Sequence, residues 1–441
     1  MSQTRDAWRR LYKVCDPKER LHIDELNLFV ERPDSAARRI ANSLEGGFDE
    51  QGKWIICGSV GTGKSTELTK LAEILHDSYL VVGVDLWRAS ARIDEVSAAE
   101  ILFCIGAAAV RTAQNQFGHQ VDPALKKHLT TIFAGLLEDK HNVEVADLVE
   151  GVTLLAFDLL APGASGAVKS ALGAARAVTG AVQVPIGRPK LGGLTRPVKD
   201  GDPALDKLVW AVDQILADVA QIRAPLVLVD GLDKLTKIDS IRDLFATSRV
   251  LAKPRAPLVY TGPVTLMLAA EWSAAANYFD RARLANLVVA EPTSPHRRAA
   301  PEQVEAGRAA ARGIIARRCG AAGVDISRAI AEDALELLVT KSGGLTRQLL
   351  QLVREAAKIA GMAEAPVVDE TIARSACEEW RKEFEITMTG IRRKELEYID
   401  ANGEPQGGQV SHELLLWNYA IPYANGDMWF SPNPLIDLHR T

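Results

Sequence analysis

Nine consecutive residues, Gly58-Ser59-Val60-Gly61-Thr62-Gly63-Lys64-Ser65-Thr66, combine glycines, a lysine and hydroxyls in an order suited to gripping phosphate. Glycines at 58, 61 and 63 let the backbone turn tightly and aim successive N–H groups inward, making a nest for phosphate oxygens at the positive end of a following helix. Lys64 would bring a full charge to the β- and γ-phosphates, and the Ser65 hydroxyl would bind Mg²⁺. The expected ligand is therefore ATP with Mg²⁺. A second chemical candidate is the acid that closes the apolar run Pro225-Leu226-Val227-Leu228-Val229-Asp230. A bare carboxylate at such a position needs a partner, and Mg²⁺ opposite Ser65 would be one. Three residues on, Asp233 either orients or deprotonates an attacking water or caps a following helix, and the sequence leaves both roles open.

These side chains need a sheet to hold them. Apolar segments at 54–57, 79–86 (YLVVGVDL), 225–230, 256–261 (APLVYT) and 287–290 (LVVA) read as five strands alternating with helical stretches, which predicts an α/β three-layer domain. The run after the loop carries Leu68, Leu71, Ala72 and Leu75 at helical spacing. Strand, glycine loop and helix thus follow in the order that phosphate binding requires. Asp230 would emerge at a carboxyl edge, where sheets of this class bind ligands.

The loop GSVGTGKST, the strand LVLVDGLDK and the later segment SGGLTRQLL at 342–350 resemble the AAA+ superfamily of P-loop ATPases. The likeness is strongest to the group spanning origin-recognition-type and STAND signal-transduction ATPases, and it covers roughly residues 25–362. It implies ATP and Mg²⁺ as ligands, with the loop residues, Ser65 and Asp230 holding them. It also implies a lid-helix arginine that reaches the γ-phosphate, a position matched by Arg347. Gly343 and Gly344 break the preceding helix there, and an arginine in a helix's first turn fits the dipole poorly unless an anion is near. Thr261 falls at the polar sensor position of the fourth strand. Arg281 and Arg283 lie near the place of an arginine finger, or are surface charges. Gly231 departs from the usual glutamate after the metal acid, which implies weak turnover.

Residues 88–224 form a long connection that is mostly helical by spacing, with helices at 98–113 and 123–137. Within it, 151–183 is rich in Ala and Gly, with Asp158, Lys169 and Arg176 as its only charges. That segment reads as a loosely packed hairpin, a self-association or partner surface, or a membrane-contacting surface. The stretch 192–203 reads as an exposed linker. Four helical segments at 301–319, 326–340, 345–363 and 369–384 predict an all-helical lid. The tail from 388, helix, helix and a hairpin turning at Asn425-Gly426, resembles a winged-helix domain. The domain plan is therefore an N-terminal helical segment (1–24), an ATPase core (25–291, with the small-residue insertion at about 140–204), the lid (292–387) and a winged-helix-like unit (388–441).

The tail holds four basic side chains against seven acidic ones, so DNA is not the favoured partner and a protein-facing wing is expected. With 441 residues, 47% hydrophobic and 25% charged, the chain can build a core in more than one unit. A formal charge of −5 excludes a protein that coats nucleic acid over its whole surface. The five cysteines have no paired short spacing, and neither they nor the scattered histidines form a metal motif. With no signal or spanning segment visible, a cytoplasmic location is expected. The reading is an ATP-binding, slowly hydrolysing AAA+/STAND-like ATPase that acts as a conformational or assembly switch with a protein partner and self-association. Alternatives are a DNA-loading initiator- or transposition-regulator-type ATPase, and an ATP-binding scaffold without turnover.

Overall fold

Why the sheet forms is visible along its first strand, where alternate residues feed two cores. In the computed structural model, which describes residues 2–17, 20–32, 34–48, 51–138, 156–157, 191–196, 198, 200–267, 272–425 and 427–438, β1 spans Lys53–Gly58. Its Ile55 and Cys57 face one apolar cluster and its Trp54 and Ile56 the other. The remaining strands are β2 (Leu80–Asp85), β3 (Ala156–Phe157), β4 (Pro225–Asp230), β5 (Leu258–Pro263) and β6 (Asp280–Arg283). They lie in the order β3-β2-β4-β5-β1-β6, parallel except for the two-residue β3. Strands buried on both faces read as continuous apolar runs, which is why four of them were legible.

Helices α1 (Ser2–Val14), α2 (Ala36–Glu45) and α3 (Lys64–Leu75) precede and follow β1, and α2 and α3 cover the Trp54 face. The opposite face is covered by α4 (Ala98–Phe117), α5 (Pro123–Leu136), α6 (Pro203–Val219) and α7 (Ile238–Phe245). Phe103 of α4 stacks on Phe133 of α5 with ring centroids 4.1 Å apart. Both rings are fully buried, worth about 1.5–3 kcal/mol each by transfer. The lid follows as α8 (Pro301–Ala321), a single turn at Ile326–Ala329, α9 (Glu332–Lys341), α10 (Thr346–Met362) and α11 (Glu370–Ile386). Trp8, Leu11 and Cys15 bring α1 into the apolar cluster of this lid. The tail forms α12 (Gly390–Asn402), α13 (Gly408–Leu416) and the hairpin β7 (Ala420–Asn425) with β8 (Asp427–Pro432). The α/β, three-layer architecture is the expected one, and it is followed by a helical region and, at the C-terminal end of the described residues, two helices with a two-stranded hairpin.

Three local expectations are corrected. The last strand is Asp280–Arg283, not 287–290. Leu287 and Val289 are apolar because they run beneath the lid, where Leu287 N–H donates to the Gly344 carbonyl. The stretch from 192 is no exposed linker at its start: the fully buried Glu100 carboxylate accepts from Gly192 N–H (2.8 Å) and Leu194 N–H (3.3 Å). In the hairpin, pairing continues to Asn425 opposite Asp427, one residue into the expected turn at Asn425-Gly426.

The readings made for 151–183 fall on residues outside the described ones, β3 excepted. Among the described residues no helix is long and apolar enough to cross a membrane, and no His, Cys, Asp and Glu side chains group as a metal cluster. All five cysteines are free and buried.

Candidate functional site

The loop between β1 and α3 takes the shape its glycines permit. Gly61 (φ 94°) and Gly63 (φ 106°) occupy left-handed backbone that other residues avoid. At Gly61 the space is also closed, since a β-carbon there would stand 2.6 Å from the Arg347 β-carbon. Thr62 turns back on the loop, its hydroxyl donating to the Ser59 carbonyl at 3.0 Å. Ser65 and Thr66 begin α3 half-buried behind Lys64.

Lys64 is 3% exposed, and its ammonium donates to the Gly58 and Ser59 carbonyls at 2.8 and 2.7 Å. It also forms an ion pair with Asp233 at 3.0 Å. Asp233 lies in a one-turn helix, Leu232–Lys234, and caps no helix, so the geometry favours the site over the capping alternative. Burial pushes its carboxyl up, but the charges of Lys64 and Lys234 outweigh it and hold the group below the usual carboxylate range. Burial depresses the Lys64 ammonium, and Asp233 opposes that.

Asp230 ends β4 and is 4% exposed. One of its oxygens accepts from Gly231 N–H (2.8 Å) and from the Thr261 hydroxyl of β5 (3.2 Å), so that threonine orients the acid. The other meets Arg20 at 3.3 Å. Beside it, in strand register, stands Asp85 at the end of β2, whose carboxylate also meets Arg20 at 3.5 Å. Burial lowers the Arg20 pKa to about 10, with Asp85 and Asp230 opposing. A guanidinium thus stands between two strand-end carboxylates. That stand-in cation, with hard oxygen donors around it, fits a site for Mg²⁺.

The backbone at Gly231 leaves no room for a side chain. Its φ is 103°, and a β-carbon there would stand 2.6 Å from the Trp87 backbone nitrogen. Gly231→Glu is therefore expected to lower stability by about 1–3 kcal/mol without raising turnover, read from the denaturant midpoint beside phosphate release. An unchanged midpoint would mean that Trp87 can move aside.

Helix α10 and the segment before β7 both reach the loop. The backbone N–H of Arg347, at the start of α10, donates to the Gly61 carbonyl at 3.0 Å. Burial lowers its guanidinium pKa while Asp233 attracts it. The turn before it requires glycine, because a β-carbon on Gly344 (φ 71°) would stand 1.8 Å from the Leu287 carbonyl. Asn418 donates to the Val60 carbonyl at 3.1 Å, and Asn286 to the Pro422 carbonyl at 2.8 Å and to the Ser59 hydroxyl at 3.4 Å. Of the tail aromatics, Tyr419, Tyr423, Trp429 and Phe430 are buried, and Trp417 is exposed.

Sequence reasoning missed Arg20, Arg32, Asp85, Asn286 and Asn418. Arg32 is 7% exposed and donates to the Thr62 carbonyl at 3.0 Å, bracing the loop from outside. Asp85 had a readable signal, since LVVGVD repeats the pattern of LVLVD. The site does not bring in Arg281, which lies over the Trp272 ring at 4.8 Å, or Arg283. With Arg39 these two line a cavity of about 430 Å³ along β6. None of the loop residues lines that cavity.

No family model and no curated protein matches the sequence. Among solved structures, Drosophila ORC bound to DNA is 14% identical, covering 94% of this chain and 90% of the other at a TM-score of 0.35. The Aeropyrum pernix ORC1 protein in complex with DNA is 12% identical, covering 92% of each chain at 0.39. A Thermotoga maritima RuvB mutant is 13% identical, covering 44% of this chain and 64% of the other at 0.24. Scores this low transfer no residue role to the present chain.

Proposed function

We propose that this chain is an ATP-binding, slowly hydrolysing AAA+/STAND-like ATPase that uses the nucleotide to set its conformation or assembly in a multi-protein system. The observation carrying the reading is the meeting of Lys64, Asp233, Asp230 and Arg347, from the core and the lid, around one glycine loop. Bound ATP with Mg²⁺ would supply the phosphoanhydride and the metal charge. The amides of Gly58, Ser59, Val60, Gly61, Thr62, Gly63, Lys64, Ser65 and Thr66 would hold the phosphates, with the Lys64 ammonium as counter-charge. Ser65 and Asp230 would hold the metal, and Arg347 would answer the charge at the γ-phosphate from the lid.

In this reading Asp233 has two duties. It keeps Lys64 paired, and after Lys64 turns to phosphate it is the carboxylate available to orient water. Gly231 in place of a second acid is consistent with slow turnover. Because Arg347 and Asn418 hang from the lid and wing yet touch the loop, a ligand there would alter how the three units pack. A protein partner and self-association follow as proposals from that coupling.

The test is sedimentation and small-angle scattering of the full chain with Mg²⁺ and a non-hydrolysable ATP analogue. A ligand-dependent change in shape or mass is the expected outcome. Tight binding with neither change would remove the switch and leave a scaffold. The DNA-loading alternative would require retention on DNA that falls steeply with salt.

A further inference from the structure

The segment between α1 and α2 is tied to three parts of the protein. At one end Asp16 pairs with Arg354 of lid helix α10 at 3.1 Å. In the middle Arg20 reaches both strand-end acids of the core, with only 11% of its side chain exposed. Beyond it the Leu21 carbonyl accepts from the Thr69 hydroxyl of α3 at 3.1 Å. Arg20 is thus matched to the two carboxylates at the ends of β2 and β4.

Two neighbouring acids buried together repel unless a cation lies between them, and Arg20 meets that need from within the chain. Mg²⁺ would take the same electrostatic place, since it binds through one or two carboxylates together with substrate phosphates. Arginine and metal cannot both hold Asp230 from the same side. The Arg20 guanidinium projects from irregular backbone rather than from a helix or strand, so it can leave without unfolding an element.

We infer that Arg20 is a displaceable internal cation: binding of a magnesium-nucleotide expels it from Asp85 and Asp230, and its departure frees the backbone at residues 20–22 from the strand ends. The inference rests on the proposed nucleotide site and adds regulation of that site by Arg20.

Hydrogen exchange of the full-length wild type tests this without any substitution, comparing ADP with Mg²⁺, ADP with EDTA, and Mg²⁺ alone. Amides of residues 20–22 are expected to exchange at least about tenfold faster with ADP and Mg²⁺ than with ADP and EDTA. Arg20→Gln adds a second readout: the Mg²⁺ concentration that half-saturates nucleotide binding should fall about tenfold, while Arg20→Lys should stay within about threefold of wild type. Equal exchange in all conditions, or an unchanged Mg²⁺ requirement in Arg20→Gln, overturns the displacement of Arg20. Absence of nucleotide binding at any Mg²⁺ concentration instead overturns the function proposed above, so the two failures are distinct.

Discussion

Lys64→Ala is expected to weaken ATP binding by about a hundredfold or more, and to destabilise the protein even without nucleotide. The first effect follows from losing the ammonium that answers the phosphate charge; charge-assisted hydrogen bonds are worth about 1.5–3 kcal/mol each, and about 2.7 kcal/mol is a hundredfold. The second follows from the 3.0 Å pair with Asp233, a carboxylate 5% exposed. Removing one partner of a buried pair strands the other, at about 3–5 kcal/mol. Lys234, 3.5 Å from the other Asp233 oxygen, reduces that cost. Lys64→Ala with Asp233→Asn should therefore regain stability and still fail to bind ATP. Calorimetric titration and denaturant unfolding separate the two effects. Wild-type affinity in Lys64→Ala would mean that the phosphates do not lie in this loop.

Asp230→Asn tests the metal half of the site. The amide keeps an acceptor oxygen for Gly231 N–H and Thr261, so the strand end should hold its shape while losing its charge. Phosphate release with Mg²⁺ is expected to fall about a hundredfold. Affinity for nucleotide in EDTA should stay within about threefold of wild type, because the loop amides and Lys64 are untouched. Hydrolysis at the wild-type rate would assign Asp230 to structure alone and place the metal elsewhere. Loss of EDTA binding as well would mean that the charge holds the loop itself. The Gly231→Glu and Arg20→Gln results then divide turnover from regulation at the same strand ends.

Different parts of this protein were legible in the sequence for different reasons. The phosphate loop could be read because its conformation is local: glycines at 61 and 63 take positive φ wherever the chain lies. Four strands could be read because burial on both faces forces continuous apolar runs. The edge strand could not. Its residues Asp280, Arg281, Ala282 and Arg283 are mostly exposed or half-buried, so composition hid them, and the apolar run at 287–290 belonged to the lid instead. Gly231 marked a departure in the sequence, but only the approach of Trp87 supplied its cause.

By itself the sequence determined the loop and the acid that ends β4, since each depends on neighbours a few residues away, and it marked the glycine turn before Arg347 without the Leu287 contact that requires it. Tertiary structure alone decided which charges meet. Arg20 and Asp230 are 210 residues apart, and Asn418 and Val60 358 apart. Such pairings leave no periodicity along the chain, because they are fixed by strand order and by how the lid and the wing pack onto the core. A lone arginine in a charged stretch looks like any solvated side chain until the fold brings two buried carboxylates to it.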